Sequence, residues 1–259
     1  MIAKVTGTFK VIIPARYAST RLPGKPLLEI GQKPLLQHVY ESAEQSAAAS
    51  VIIATDNAEI HNRAVSFGAP VYMTADTHKS GTERLIEVVM KLKEPDNCII
   101  INLQGDEFQM PPEIIDQVAE SLMRHPEAEM ATLCEPITDV ADYRNPNIVK
   151  VIYDRNHIAL DFSREPVQWY GNGPTPGAGV YGYRHIGIYA YRAGFLKHYK
   201  ELEPCKREKS ERLEQLRVLE HGYRIFVDIA KKPPGIGIDT AEDLERARQL
   251  VENQDITQL

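Results

Sequence analysis

Phe9-Lys10-Val11-Ile12-Ile13 runs directly into Pro14-Ala15-Arg16-Tyr17-Ala18-Ser19-Thr20-Arg21-Leu22-Pro23-Gly24-Lys25-Pro26. The first five residues read as a buried strand, apolar and rich in β-branched side chains. The residues after it combine cations, small side chains and prolines into a stiff basic loop. That loop follows the carboxyl end of a strand, where open α/β sheets bind their ligands. It is not G-x-G-x-x-G, which removes support for a dinucleotide-binding oxidoreductase. Nor is it the G-x-x-x-x-G-K-[ST] phosphate loop, because Gly24-Lys25 is followed by Pro26 and no glycine precedes at the required spacing. Arg16, Arg21 and Lys25 instead spread their charge along the chain, a layout that suits an extended triphosphate; arginine supplies forked donors and lysine a compact charge. The competing reading is a solvated basic terminus: residues 1–28 hold Lys4, Lys10, Arg16, Arg21 and Lys25 and no Asp or Glu.

Working outward, apolar runs alternate with helical spacing. Residues 51–54 (VIIA), 71–73, 98–103 (CIIINL) and 130–133 read as strands. Residues 35–47 and 58–67, a segment opened by Ser80-Gly81-Thr82-Glu83, and one after Pro111-Pro112 read as helices. Continuous apolar strands separated by helices indicate a mainly parallel sheet covered on both faces, an open doubly wound α/β fold. After residue 135 the rhythm changes. Residues 149–153, 158–162 and 185–191 are strand-like without clear helices between them, and a Gly- and Pro-rich stretch covers 165–183. We read one domain over 1–259 with an antiparallel insert at about 135–200. A helix over about 210–221, a strand over 223–229 and a run 235–239 leading into a last helix from about 241 complete the chain.

The 259 residues carry 30 Lys+Arg against 36 Asp+Glu, a net charge of −6, and are 43% hydrophobic. That composition excludes wholesale disorder and argues against a nucleic-acid binder. No apolar run approaches the ~18 residues of a membrane span, and no signal-peptide pattern opens the chain. Cys98, Cys134 and Cys205 are too scattered for a disulfide framework or a zinc site, and the histidines show no metal spacing. The expectation is a cytoplasmic protein with reduced thiols and no membrane insertion.

Asp106 follows the strand at 98–103, which places a carboxylate at a strand's carboxyl end; a turn residue after Gly105 is the equal alternative. Asp239 ends the run Gly235-Ile236-Gly237-Ile238 and reads first as an N-cap of the last helix, as does Thr240. Ser80, Gly81 and Thr82 open a helix whose free N–H groups suit a nucleotide, while Ser80 with Glu83 also fits a capping box. Arg164 can take a carboxylate in two parallel bonds. Gln104, His185, Glu214 and Gln215 can grip hydroxyls; as alternatives, Glu214 and Gln215 form a solvated helix face and His185 is a core histidine.

The basic loop closely resembles the N-terminal signature of the CMP-KDO synthetase (3-deoxy-manno-octulosonate cytidylyltransferase) family. Further segments resemble it in family order: Ala54-Thr55-Asp56, His78–Arg84, Asn102–Glu107, Asn145-Pro146-Asn147 with Val149-Lys150-Val151, Phe162-Ser163-Arg164, Arg184–Tyr189, Leu213–Arg217 and Gly237–Thr240. Two positions depart from the family pattern: the Gly-Pro-rich loop at 169–183, and Lys79 where glutamine is common. The resemblance implies a GT-A-like nucleotidyltransferase that transfers CMP from CTP to KDO with Mg²⁺, and a homodimer formed through the insert. It assigns Asp106 and Asp239 to the metal, and Pro14, Ala15, Arg16, Arg21, Lys25, Ser80, Gly81, Thr82 and Gln104 to the nucleotide. It gives Gln104, Arg164, His185, Glu214 and Gln215 to the sugar, and makes Arg21, Lys25, Asp106 and Asp239 catalytic. The rivals are a cytidylyltransferase for 8-amino-KDO or a sialic acid, a GT-A glycosyltransferase, and a non-catalytic CTP sensor. The chain lacks the Asp-x-Asp pairing expected of a glycosyltransferase at 106 and 239.

Overall fold

The computed structural model describes residues 8–18, 22–167 and 179–257. In chain order, β1 (Phe9–Ala15) is followed by a single 3-10 turn (Lys25–Leu27), the hairpin β2 (Glu29–Ile30) and β3 (Lys33–Pro34), α1 (Leu35–Glu44), β4 (Ser50–Thr55), α2 (Ala58–Ser66), β5 (Val71–Met73) and α3 (Gly81–Leu92). Then come β6 (Ile99–Asn102), β7 (Glu107–Phe108), α4 (Pro112–Arg124), β8 (Met130–Ile137), α5 (Val140–Arg144), β9 (Lys150–Tyr153), β10 (Ala159–Ser163) and β11 (Gly182–Arg192). The chain finishes with α6 (Ala193–Tyr199), α7 (Lys206–Glu211), α8 (Gln215–Glu220), β12 (Ile225–Ile229), β13 (Ile236–Gly237) and α9 (Ala241–Thr257). The fold is mixed α/β.

Two compact units form. The N-terminal unit takes Thr8–Glu94, Ile100–Asp116 and the chain from Pro234 on; the central unit takes Pro95–Ile99 and Gln117–Pro233. In the N-terminal unit the strand order is β6, β1, β4, β5. β1 and β4 run parallel, from Lys10 opposite Ser50 to Ala15 opposite Thr55, and β4 and β5 are also parallel. Val11, Ile12 and Ile13 on β1 are fully buried, as are Leu36 and Val39 on α1 and Leu85 and Val88 on α3. The strands are therefore covered by apolar helix faces, as the uninterrupted apolar runs require. Asn57 caps α2 and Ser80 caps α3 through their side chains, which fixes where each helix leaves its loop.

In the central unit β12 and β8 are parallel, while β8 with β11, β11 with β9 and β9 with β10 are antiparallel. The segment expected at about 135–200 lies inside this unit. One expectation changes. The single helix over about 210–221 is two short helices, α7 and α8, broken at Arg212, whose φ of 55° is left-handed. Within the run 235–239, β13 pairs antiparallel with β7, Ile236 opposite Phe108 and Gly237 opposite Glu107. Among the described residues, no helix is long and apolar enough to cross a membrane.

Candidate active site

The basic loop leaves β1 at Ala15. Arg16 is exposed and has no ion-pair partner among the described residues. Gly24 N donates to Tyr17 O at 3.2 Å, and Gly24 sits at φ 66° with the Tyr17 ring 3.4 Å from where a β-carbon would be. The left-handed backbone suits glycine there, and it turns Lys25 back toward the strand ends. Arg21 lies outside the described residues. Lys25 Nζ donates to Asp106 Oδ2 at 2.6 Å and to Asp239 Oδ1 at 3.1 Å. Burial works against the ammonium, but the charges and hydrogen bonds of Asp106 and then Asp239 outweigh it and raise its pKa above the usual lysine value.

Asp106 and Asp239, far apart in the chain, meet through a short antiparallel pairing. Asp106 sits on the turn after β6, where Gly105 passes so close to Pro14 O that a β-carbon would stand 3.0 Å from it. The Asp106 carbonyl accepts from Ile238 N at 2.9 Å, and β7 and β13 zip together beside it. At Gly235 an added β-carbon would lie 2.2 Å from Phe108 O, so only glycine permits the crossing. The cap of the last helix is made by Thr240. Its hydroxyl oxygen accepts from Asp243 N at 3.2 Å, and Asp243 Oδ2 accepts from the Asp239 and Thr240 amides at 3.1 and 2.9 Å. The Asp239 carboxylate is thereby released from capping and reaches Lys25. The side chains of Asp106 and Asp239 remain 33% and 49% exposed.

Two carboxylates that reach one point, held there by a lysine ammonium, can also serve a hard cation. Among the described residues no cluster of three or more His, Cys, Asp or Glu forms a complete cage. The donor set fits an oxygen-seeking ion such as Mg²⁺, which takes few protein ligands and fills its shell with phosphate oxygens and water.

Pro14, Gly81 and Gln104 are brought together: a β-carbon on Gly81 would lie 3.2 Å from Pro14 Cγ and 3.3 Å from Gln104 Oε1. Gln104 Nε2 donates to Asn102 Oδ1 at 3.1 Å, which leaves its carbonyl turned to this corner. Ser80 Oγ accepts from Glu83 N at 3.2 Å, while the Glu83 carboxylate accepts from Lys79 N at 2.8 Å rather than from Ser80 itself. Thr82 is buried. Arg84 turns away into the core, where it pairs with Asp56 at 2.5 Å and bonds Thr74. It anchors α3 to the ends of β4 and β5.

In the central unit the decisive feature is a bulge. β11 pairs with β8 up to Ile186 opposite Leu133 and resumes at Tyr189 opposite Thr132. In a regular strand residues four apart are about 13 Å apart; here the rings of His185 and Tyr189 are 5.2 Å apart. The Thr132 hydroxyl fills the bulge, donating to Ile188 O at 2.8 Å and accepting from His185 Nε2 at 3.0 Å. This network assigns the proton to Nε2 and leaves Nδ1 as an acceptor. Burial, with a contribution from Arg184, pushes the His185 pKa down to about 3. Thr132 and Tyr189 carry no motif of their own; Gly187 within an apolar strand is the signal that marks such a bulge.

The break at Arg212 places Glu214 and Gln215 at the start of α8, so they do not form a solvated helix face. Gln215 is buried, and its Nε2 has no hydrogen-bond partner among the described residues. Burial first, then Tyr191 and Glu214, hold the Tyr189 hydroxyl well above its usual pKa. Arg217 forks onto Glu208 at 2.8 and 2.5 Å and ties α8 to α7. Arg164 is differently placed from the expected free fork. Its Nε donates to Glu211 O at 2.7 Å and its Nη1 to Pro146 O at 3.1 Å. A ligand carboxylate is left only the end-on approach, through Nη2 and the second Nη1 hydrogen.

The sequence model of the family described as "Cytidylyltransferase" matches residues 10–256. The chain belongs to this family. It is 53% identical over 254 residues to the 3-deoxy-manno-octulosonate cytidylyltransferase of Pseudomonas syringae, covering 96% of this chain and 100% of that one. It is 49% identical to the enzyme of that name from Histophilus somni, covering 94% and 98%. Among solved structures, CMP:2-keto-3-deoxy-manno-octonic acid synthetase complexed with CTP matches with a TM-score of 0.86 at 39% identity, covering 96% of this chain and all of that one. A 4-diphosphocytidyl-2C-methyl-D-erythritol synthase, at 15% identity and a TM-score of 0.62, shares the fold. A cytidylyltransferase must neutralise a triphosphate and stabilise a leaving pyrophosphate.

Proposed function

We propose that this cytidylyltransferase transfers CMP from CTP to the anomeric hydroxyl of 3-deoxy-manno-octulosonate, releasing pyrophosphate. The observation that carries the reading is the meeting of Asp106 and Asp239 on Lys25 beside the basic loop. In the reaction the anomeric oxygen forms a bond to the α-phosphorus. The bond from that phosphorus to the bridging oxygen breaks in line, its electron pair leaves with pyrophosphate, and the attacking hydroxyl gives up its proton. Such transfers depend on positioning and charge neutralisation. Arg16, Arg21 and Lys25 hold the triphosphate, and Pro14, Ala15, Ser80, Gly81, Thr82 and Gln104 shape the nucleotide corner. Asp106 and Asp239 would hold Mg²⁺. Bound there, the ion supplies positive charge against the phosphate oxygens.

For the sugar, Arg164 meets the carboxylate end-on. His185 Nδ1 accepts from a hydroxyl, and Gln215 Nε2 donates to one. Leaving that buried amide unmet costs about 1–3 kcal/mol, so it favours a ligand with oxygens at that point. Gln104 and Glu214 complete the hydroxyl contacts. We further propose a homodimer; support comes from β10, which ends the strand order and presents Leu160 half-exposed. Among the described residues Cys98, Cys134 and Cys205 form no disulfide, which suits a reducing cytoplasm.

The test is pyrophosphate release from CTP with KDO, 8-amino-KDO and a sialic acid side by side, with and without Mg²⁺. Metal-dependent turnover with KDO above the other two is expected. Faster turnover with either rival sugar would reassign the acceptor. CTP binding without turnover on any of them would make the protein a sensor.

A further inference from the structure

Lys150 is a fully buried cation that the proposed reaction does not use. It lies on β9, opposite Ser163 on β10 and Arg184 on β11, and its side chain has no exposed surface. The ammonium donates to Asn145 O at 2.8 Å and to Arg164 O at 2.7 Å, and among the described residues no carboxylate bonds to it. Burial lowers its pKa; Glu165 opposes that only at a distance, and the Arg164 charge adds to the lowering. A buried charge without a counter-ion costs several kcal/mol, so its placement calls for a reason.

The hydrogen bonds supply one. Lys150 holds the Asn145 carbonyl, the next residue's carbonyl receives Arg164 Nη1, and the Arg164 carbonyl returns to Lys150. Lys150 thus grips Arg164 by its main chain and also grips the turn that grips its guanidinium. From the other side Glu211 accepts from Arg164 N at 3.1 Å and from Nε at 2.7 Å, through a carboxylate oxygen and a carbonyl respectively. No carboxylate among the described residues touches the guanidinium itself. Two cations therefore stand together, one fixing the other, and Nη2 makes no hydrogen bond among the described residues.

We propose that Lys150 is a positioning residue for the acid sugar: it fixes Arg164 and adds a second positive charge behind it, so that the acceptor taken is one bearing a carboxylate. The inference rests on the reading of Arg164 as the carboxylate contact. The experiment compares wild type, Lys150→Met, Arg164→Ala and the double variant by steady-state kinetics for KDO and CTP, with melting curves and CTP titration. Lys150→Met is expected to raise the KM for KDO roughly ten- to a hundred-fold, the size of a lost charged hydrogen bond, with the KM for CTP and CTP affinity within about two-fold. The double variant should lose little more than the worse single one, as for coupled neighbours. An unchanged KDO KM in Lys150→Met, alongside a raised one in Arg164→Ala, would overturn the role of Lys150. An unchanged KDO KM in Arg164→Ala would instead overturn the underlying reading of Arg164. A Lys150→Met protein that has lost its melting transition and CTP binding assigns Lys150 to folding alone and also overturns the proposal.

Discussion

In the N-terminal unit, Lys25 is shared by two carboxylates that stay a third to a half exposed. In the central unit, His185 is neutral and locked in one tautomer by Thr132, Tyr189 is protonated, and the Gln215 amide is buried. The first arrangement is an ion-pair cluster whose members can exchange partners when phosphates and a cation arrive. Water beside it keeps the exchange inexpensive. The second has its hydrogen-bond directions fixed before any ligand arrives, which suits selection among hydroxyls. Charge is handled where it must move, and direction is fixed where shape must be read.

The largest expected effect tests the first arrangement. Asp106→Asn and Asp239→Asn should each cost about a hundred-fold or more in turnover, the scale of a lost transition-state charge contact. The double variant should lose little more than the worse single one, because the residues act as a unit. Rate against Mg²⁺ concentration checks this; an Asp239→Asn enzyme with unchanged metal dependence would leave Asp106 as the sole ligand. Because Thr240 makes the cap, Asp239→Asn should melt within about 0.5 kcal/mol of wild type.

Next in size, Lys25→Ala should lose roughly ten- to a hundred-fold in use of CTP. It should also bind Mg²⁺ more tightly than wild type without nucleotide, since the ammonium no longer competes for the two carboxylates. Calorimetry with the metal alone reads this out, and weaker binding would mean that Lys25 organises the pair rather than competing for it.

The second arrangement is tested by pH. His185→Ala should weaken KDO use while CTP affinity is retained. With its folded pKa near 3 against about 6.5 unfolded, His185 is neutral in the folded protein where the unfolded chain takes up a proton. Its contribution to stability is full above pH ~6.5 and declines as pH falls toward 3. His185→Ala should flatten that part of the stability–pH curve. Denaturant titrations at pH 7, 6, 5 and 4 measure the slope; equal slopes for the two proteins would mean that the ring is not desolvated.

The smallest effect is at Arg212. Its left-handed backbone costs about 1 kcal/mol in a non-glycine residue, so Arg212→Gly should raise stability by up to that amount with KDO kinetics unchanged. A loss of stability would show that the break between α7 and α8 depends on the arginine side chain.

Much of this was legible in the residues themselves. The parallel strands of the N-terminal unit follow from β-branched runs that have no polar face to show to water, and the basic loop follows from its position after the first of them. Ser80 as a cap was legible because capping is a contact within four residues. The turn at Arg212 was not: nothing local distinguishes an arginine held in the left-handed region from one continuing a helix, and the surrounding charges fit helical spacing. Asp239 was ambiguous with Thr240 for the same reason, since both side chains can cap and only the fold decides which one does.

What the sequence determined by itself, then, is the longer strands and helices of the N-terminal unit and the chemistry available: cations near residue 20, carboxylates at 106 and 239, hydrogen-bonding side chains from 164 to 215. Those are consequences of side-chain type and of spacing within a turn or a strand. Tertiary structure alone decided that Asp239 meets Lys25, through a backbone crossing that only Gly235 permits. It alone decided that a two-residue slip between β8 and β11 sets His185 against Tyr189, and that Lys150 is buried behind Arg164. These are contacts between residues far apart in the chain, and their geometry is fixed by close approaches of backbone and by register, neither of which is encoded at any single position.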